Sequence, residues 1–280
     1  MKKFILSTSL IIFCFSLAKA QKTHQLVKLW QTDTVVAVPE SVLIDFEKKL
    51  LYVSEIGLGN SSTADGNGEI ALLGLDGKII DLHFAKGMDS PKGLGKYGNN
   101  LYVADLTKVF LIDTKTGSTI KTFPVEGAGM LNDITVNDKG VVYISDSRTK
   151  KIHKIENDQL TTFMEGIDGI NGLKAIGTDL YILGGKRFFK VDKNLRETEI
   201  ASLPQGGDGL EPIGNGDFLA TSWGGYIYYV HKNGEVDTLL DSHSPRINTA
   251  DLAYDAKKKI LYVPTFFNKM VTAYRLEEIK

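Results

Sequence analysis

The chain has a single cysteine, Cys14, in 280 residues, so it cannot form an internal disulfide. A chain of this length can instead be held by a large hydrophobic core. Beyond residue 20 no apolar run is long enough to span a bilayer. There is no basic cluster with interleaved aromatics, which argues against a nucleic-acid partner. The five histidines, His24, His83, His153, His231 and His243, fall in no metal-ligand spacing, and no Ser-His-Asp arrangement can be assembled from the sequence.

What is present begins with an export signal. Residues 1–20, MKKFILSTSLIIFCFSLAKA, combine two lysines, a short apolar run and a small-x-small finish at Ala18-Lys19-Ala20. This pattern predicts a secretory signal peptide cleaved before Gln21. Removing it takes away Lys2, Lys3 and Lys19 and no acids, which moves the formal net charge from −1 to −4. The expected product, residues 21–280, is an exported, periplasmic or extracellular, monomeric single domain.

A repeat organises that domain. Short β runs centre on Tyr52, Tyr102, Tyr143, Tyr181, Leu219 and Tyr262, at successive spacings of 50, 41, 38, 38 and 43. Each has a similar lead-in: PESVLIDFEKKL, PKGLGKYGNN, LNDITVNDKGV, INGLKAIGTD, GDGLEPIGNGD and TADLAYDAKKKI. Further β runs follow each anchor, giving about four strands per unit at a period near 40 residues, the size of a propeller blade. The expected fold is all-β, a six-bladed β-propeller with four-stranded blades. The last unit lacks an outer strand, and HQLVKLWQTD at the N-terminus resembles it. Pairing the two ends would close the ring and remove an exposed edge.

In a propeller the lead-in strand is innermost. Aligning the six lead-ins places Glu40, Lys92, Asn132, Asn171, Asp208 and Ala250 at equivalent positions around the channel. Asn-Asp, Asn-Gly and Asp-Gly are also common turn pairs, and each could be only that. Glu40 fits the turn explanation poorly, because Glu is a weak turn former. Two carboxylates and two carboxamides converging on one axis would be poorly satisfied alone. A hard dication with oxygen ligands resolves this, Ca²⁺ first, with Zn²⁺, Mg²⁺ or Mn²⁺ as the other candidates.

Two further segments carry weaker signals. GGKR at 184–187 lacks the spacing of a phosphate loop and is expected to be a hairpin turn. The insertion GLGNSSTADGNGE at 57–69 alternates oxygens at Asp65, Asn67 and Glu69. It is expected to be a loop, with a Ca²⁺ site or a cap over one channel mouth as the functional alternatives.

Taken in register, Pro39-Glu40, Leu131-Asn132-Asp133, Asn171-Gly172-Leu173 and Asp208-Gly209-Leu210 resemble the motifs of the senescence marker protein/gluconolactonase/regucalcin family. The run SWGGYIYYVHKNGE at 222–235 resembles that family's fifth blade. The resemblance implies a six-bladed propeller with one channel metal, often hydrolysing sugar lactones. Carried over by position, it implies Glu40, Asn171 and Asp208 as metal ligands and Asn132 against the substrate or a metal-bound water. Asp208 and Asn132 are the expected catalytic residues, and Lys92 and Met130, at neighbouring positions of this chain, are expected to face the substrate with Asn132. The chain departs from the pattern in three places. Ser41-Val42 follows Glu40 instead of Gly-Pro, Met130 stands where sugar-lactone members carry arginine, and Lys92 occupies the second-blade position. Two functions therefore stay open: a metal-dependent hydrolase of a lactone or similar cyclic ester, and a non-catalytic propeller binding a small ligand or a protein partner.

Overall fold

The computed structural model describes residues 23–59 and 62–279. The expected signal peptide and Cys14 lie outside the described residues. The chain opens with strand β1 (His24–Gln31). Five complete blades follow: β2 to β5 (Pro39–Asp45, Leu50–Glu55, Gly68–Gly74, Ile79–Met88), β6 to β9 (Pro91–Tyr97, Asn100–Asp105, Lys108–Asp113, Thr119–Pro124), and β10 to β13 (Leu131–Val136, Val142–Asp146, Lys151–Glu156, Gln159–Glu165) are the first three. Next come β14 to β17 (Ile170–Ile176, Asp179–Gly184, Arg187–Val191, Glu197–Ser202) and β18 to β21 (Leu210–Pro212, Phe218–Ser222, Tyr226–Val230, Val236–Asp241). The sixth blade is β22 to β24 (Ala253–Asp255, Ile260–Pro264, Val271–Glu278) with β1 as its outer strand. The fold is a six-bladed β-propeller of four-stranded antiparallel blades, closed by its N-terminal strand.

The core explains why the strands read as they do. Buried side chains form clusters at each of the six junctions between neighbouring blades, so both faces of the middle strands are covered. Runs such as LLYVSE are therefore buried at successive positions, without the alternation of a one-sided sheet. The outer strands, such as β9, are mostly exposed. The GGKR segment is the β15–β16 hairpin, with Gly184 paired to Arg187.

The inner strands approach one another near the axis, and three glycines permit it. A Cβ on Gly93 would lie 2.5 Å from Asp133 Cα, one on Gly172 would lie 2.1 Å from Asp208 O, and one on Gly209 would lie 2.7 Å from Leu252 N. The obstacle is the backbone of the next blade in each case. Gly93→Ala is expected to lower stability by about 1–3 kcal/mol, measurable as a shift of the denaturant midpoint at constant slope. An unchanged midpoint would mean the blades can part there without loss.

Candidate functional site

Four inner strands carry a register shift at their start: Pro39/Val42, Pro91/Leu94, Leu131/Ile134 and Ile170/Leu173. Each takes two residues out of the ladder, a β-bulge that changes where side chains point. In the first and third blades a hydroxyl of the second strand accepts from a freed amide, and the fifth blade has a similar bond ahead of β18. Ser41 N–H donates to Ser54 Oγ at 2.9 Å, Asp133 N–H to Ser145 Oγ at 2.9 Å, and Gly209 N–H to Thr221 Oγ1 at 2.8 Å. The lead-in segments are also pinned. Asp105 accepts from the Asp89 and Ser90 amides, and Asp146 from the Gly129 and Met130 amides.

The predicted ring residues meet at this end of the channel. Glu40, Lys92, Asn132 and Asp208 are buried, and Asn171 is half-buried. Asn171 Nδ2 donates to Asp208 Oδ1 at 2.6 Å. Asn132 Nδ2 donates to Ser147 Oγ at 3.1 Å, and that hydroxyl donates to Ile170 O at 2.8 Å, one residue before Asn171. Glu40 Oε2 and Asp208 Oδ2 are buried without a hydrogen-bond partner. Burial pushes the Glu40 carboxyl up to about 8; Lys92 opposes the shift, while Asp208 and Asp251 add to it. Burial likewise raises Asp208 to about 6 against the Asn171 amide and Lys92. Ala250, the sixth position, is fully buried and packs on Val38, Ile56 and Phe266. Met130 is half-buried beside the ring, its amide held by Asp146.

Next to the ring lies a second row of polar side chains that sequence reasoning did not assign. Asp251 Oδ2 accepts from Ser41 Oγ at 2.5 Å. Asp133 accepts from the Leu173 and Ile134 amides, both at 2.6 Å. Burial, with Asp208 and Glu211 adding to it, raises Asp251 to about 7. Burial and Asp251 raise Asp133 well above the usual carboxylate range. One residue deeper, Lys174 Nζ donates to Glu211 at 2.7 Å. A signal for the second row existed, since Asp133 and Asp251 directly follow Asn132 and Ala250. For Asp133 it becomes readable only when the bulge of β10 is known.

The channel is open at its other end. A cavity of about 450 Å³ is lined by Asp133, Thr135, Lys174, Glu211 and Asp251, and by the hairpin residues Asp45 to Glu47 and Lys96 to Gly98. The five predicted ring residues are not part of its wall. In the insertion loop, Asp65 accepts from the Asn67 amide and side chain, and Glu69 pairs with His83, so these oxygens are already bonded within the protein. Among the described residues, no three His, Cys, Asp or Glu side chains come together as a metal-holding group. No helix among them is long and apolar enough to cross a membrane.

No known family's sequence profile matches this chain. No curated protein matches it either. Among solved structures the chain is similar in fold to a catalytically inactive histidine-to-alanine variant of the virginiamycin B lyase from Staphylococcus aureus with quinupristin. That similarity has a TM-score of 0.63 at 13% identity, covering 90% of this chain and 98% of the other. It is also similar to a streptogramin B lyase, with a TM-score of 0.64 at 10% identity, covering 91% and 97%. At such identities these likenesses define the class, the β-propellers, and nothing about the reaction.

Proposed function

We propose that this chain is an exported, metal-dependent hydrolase acting on a lactone or similar cyclic ester at the Glu40–Asn171–Asp208 end of the channel. The observation that carries this reading is the pair of buried, unpartnered oxygens, Glu40 Oε2 and Asp208 Oδ2, on side chains brought together from the first and fifth blades. Buried polar atoms normally find partners, and exceptions call for an explanation. Two carboxylates and a carboxamide are hard oxygen donors of the kind Ca²⁺ takes, with waters completing the shell. A cation held there would polarise the ester carbonyl and acidify water.

The chain's own groups supply the rest. A water adds to the carbonyl carbon, the ring C–O bond breaks, and the leaving oxygen takes up a proton, giving a hydroxy acid. Asp208, raised to about 6, is suited to accept the water's proton near neutral pH, with Asp251 behind it as the next carboxylate. Asn132 holds the substrate from the third blade.

The resemblance to the senescence marker protein/gluconolactonase/regucalcin family supports this reading. One observation favours the second reading, a non-catalytic binding propeller: the Lys92 ammonium acts on both Glu40 and Asp208 and balances part of their charge without a metal. The two separate on metal content and on turnover of a lactone panel with and without chelator. Asn132→Asp sharpens the test. It removes the donor to Ser147 and adds a negative charge beside Asp133. Turnover is expected to fall tenfold or more, equal to about 1.4 kcal/mol in the barrier, with folding and cation affinity retained. Turnover as fast as wild type would make Asn132 a turn residue; metal binding with no turnover by either protein would leave the binding propeller.

A further inference from the structure

The ring is polar at five positions and apolar at the sixth, and around that sixth position the surface becomes aromatic. Phe266 packs on Ala250, Val38 and Ile56. Its ring meets Phe267 edge-on at a centroid separation of 4.7 Å and Trp223 at 5.5 Å, while Trp223 meets Phe267 at 5.9 Å. Hydrogen bonds tie this cluster to the ring. Thr221 Oγ1 donates to Ala250 O at 2.9 Å, Thr249 Oγ1 to Ser222 O at 2.8 Å, and Asn248 Nδ2 to Trp223 O at 2.8 Å. Trp223 therefore sits beside the segment that delivers Ala250 to the channel.

Two features set the cluster apart from ordinary packing. Trp223 is 45% exposed and Phe267 59% exposed, although aromatic side chains usually bury most of their surface. Phe266 holds a left-handed backbone at φ +49°, a strained conformation for a bulky residue, of the kind that clusters at functional sites. The hairpin between β19 and β20 already has Gly224-Gly225 to make its turn, so a tryptophan ahead of them serves no turn requirement. The exposed aromatic faces are joined to the sixth ring position through Phe266 on Ala250, so an ester placed at the ring would carry its substituent toward the sixth blade.

We infer that Trp223 and Phe267, seated on the buried Phe266, form an apolar subsite beside the ring, and that the substrate is a cyclic ester bearing an alkyl or aryl substituent rather than a polyhydroxylated sugar lactone. This deepens the hydrolase reading and rests on it. Sugar hydroxyls need several hydrogen-bond partners, and the exposed aromatic faces offer only the single indole N–H of Trp223. Aromatic faces suit an alkyl chain or an aromatic ring.

The test compares three lactones of equal ring size, one unsubstituted apart from an alkyl chain, one phenyl-substituted and one polyhydroxylated. Wild type is expected to show kcat/KM at least tenfold higher for the first two. Trp223→Ala and Phe267→Ala, both at exposed positions, are each expected to shrink that preference tenfold, mainly through KM, and Trp223→Phe to restore most of it. A wild-type preference for the polyhydroxylated lactone, or one unchanged in both alanine variants, overturns the inference. Binding is read separately by fluorescence. Trp30 is the other tryptophan, so the difference between wild type and Trp223→Phe reports Trp223 alone. If no lactone is hydrolysed, the hydrolase reading fails. The subsite then stands only if the alkyl or phenyl lactone changes the Trp223 signal at a lower concentration than the polyhydroxylated one; no change overturns it.

Discussion

Removal of the residues before Val35 is expected to abolish the cooperative thermal transition. Strand β1 lies in that segment and is the outer strand of the sixth blade, running from His24 opposite Glu278 to Gln31 opposite Thr272. It also clamps both neighbouring blades. Trp30 lies 5.8 Å from the Tyr262 ring and donates through Nε1 to Leu75 O in the first blade at 3.2 Å. His24 stacks on Tyr229 of the fifth blade at 4.1 Å. Without β1, β24 becomes an unpaired edge, which templates association. The first-blade junction would lose Leu29 and Trp30 at the same time. Differential scanning calorimetry should show a broad or absent transition, with aggregation. A milder probe, Trp30→Ala, is expected to cost about 2–3 kcal/mol, a fall of roughly 5–10 °C in Tm for a chain of this size. A truncated protein that melts like the full chain would remove β1 from the closure.

The second large effect concerns the buried carboxyls, where stability and function are expected to pull in opposite directions. The folded-state value of Glu40, about 8, lies above its ordinary 4.5. Between those values the folded protein holds a proton that the unfolded chain has released. The group's contribution to stability is therefore fully present below about 4.5 and is lost as the pH rises through about 8. At pH 8 and above, the metal-free protein carries a buried charge at a penalty on the order of a few kcal/mol. Glu40→Gln removes that charge and is expected to raise the metal-free Tm at pH 8 by about 5 °C. The same substitution should abolish stabilisation by Ca²⁺, which for wild type amounts to about 2.7 kcal/mol at a hundredfold excess over Kd. Asp208→Asn should act in the same direction, more weakly, because its value lies near 6. Cation binding must displace these protons, so wild-type affinity should rise by up to about tenfold per pH unit between pH 6 and 8 for each proton displaced. If Glu40→Gln alters neither the metal-free Tm nor the response to any divalent cation, the ring is not a cation site and Lys92 is its permanent counter-charge.

The propeller was legible because each blade repeats a local pattern. Tyr52, Tyr102, Tyr143, Tyr181 and Tyr262, with Leu219, mark the second strand of every blade, and strand propensity and turn chemistry act between near neighbours in the chain. The match between HQLVKLWQTD and a missing outer strand was likewise local information, and β1 takes that place in the structure. Alignment of the lead-ins also put Glu40, Lys92, Asn132, Asn171 and Asp208 at one level of the channel.

What only the tertiary structure decided is the second row and the way the channel opens. Asp133 and Asp251 follow Asn132 and Ala250, and in a regular strand adjacent residues face opposite sides. A bulge at the start of β10 breaks that alternation at Asp133, as one at the start of β2 does at Ser41, and the hydroxyls of Ser145 and Ser54 on the neighbouring strands accept from the freed amides. No pattern in one strand shows that another strand supplies this partner. The pairing of Lys174 with Glu211, the contact of Trp223 with Phe266 and Phe267, and the 450 Å³ cavity at the far mouth arise between blades. The sequence determines the first five blades by interactions within about fifty residues, while the sixth also takes β1 from the other end of the chain. The chemistry at the axis depends on how six blades close around it, and that spacing is set by the packing of one sheet on the next.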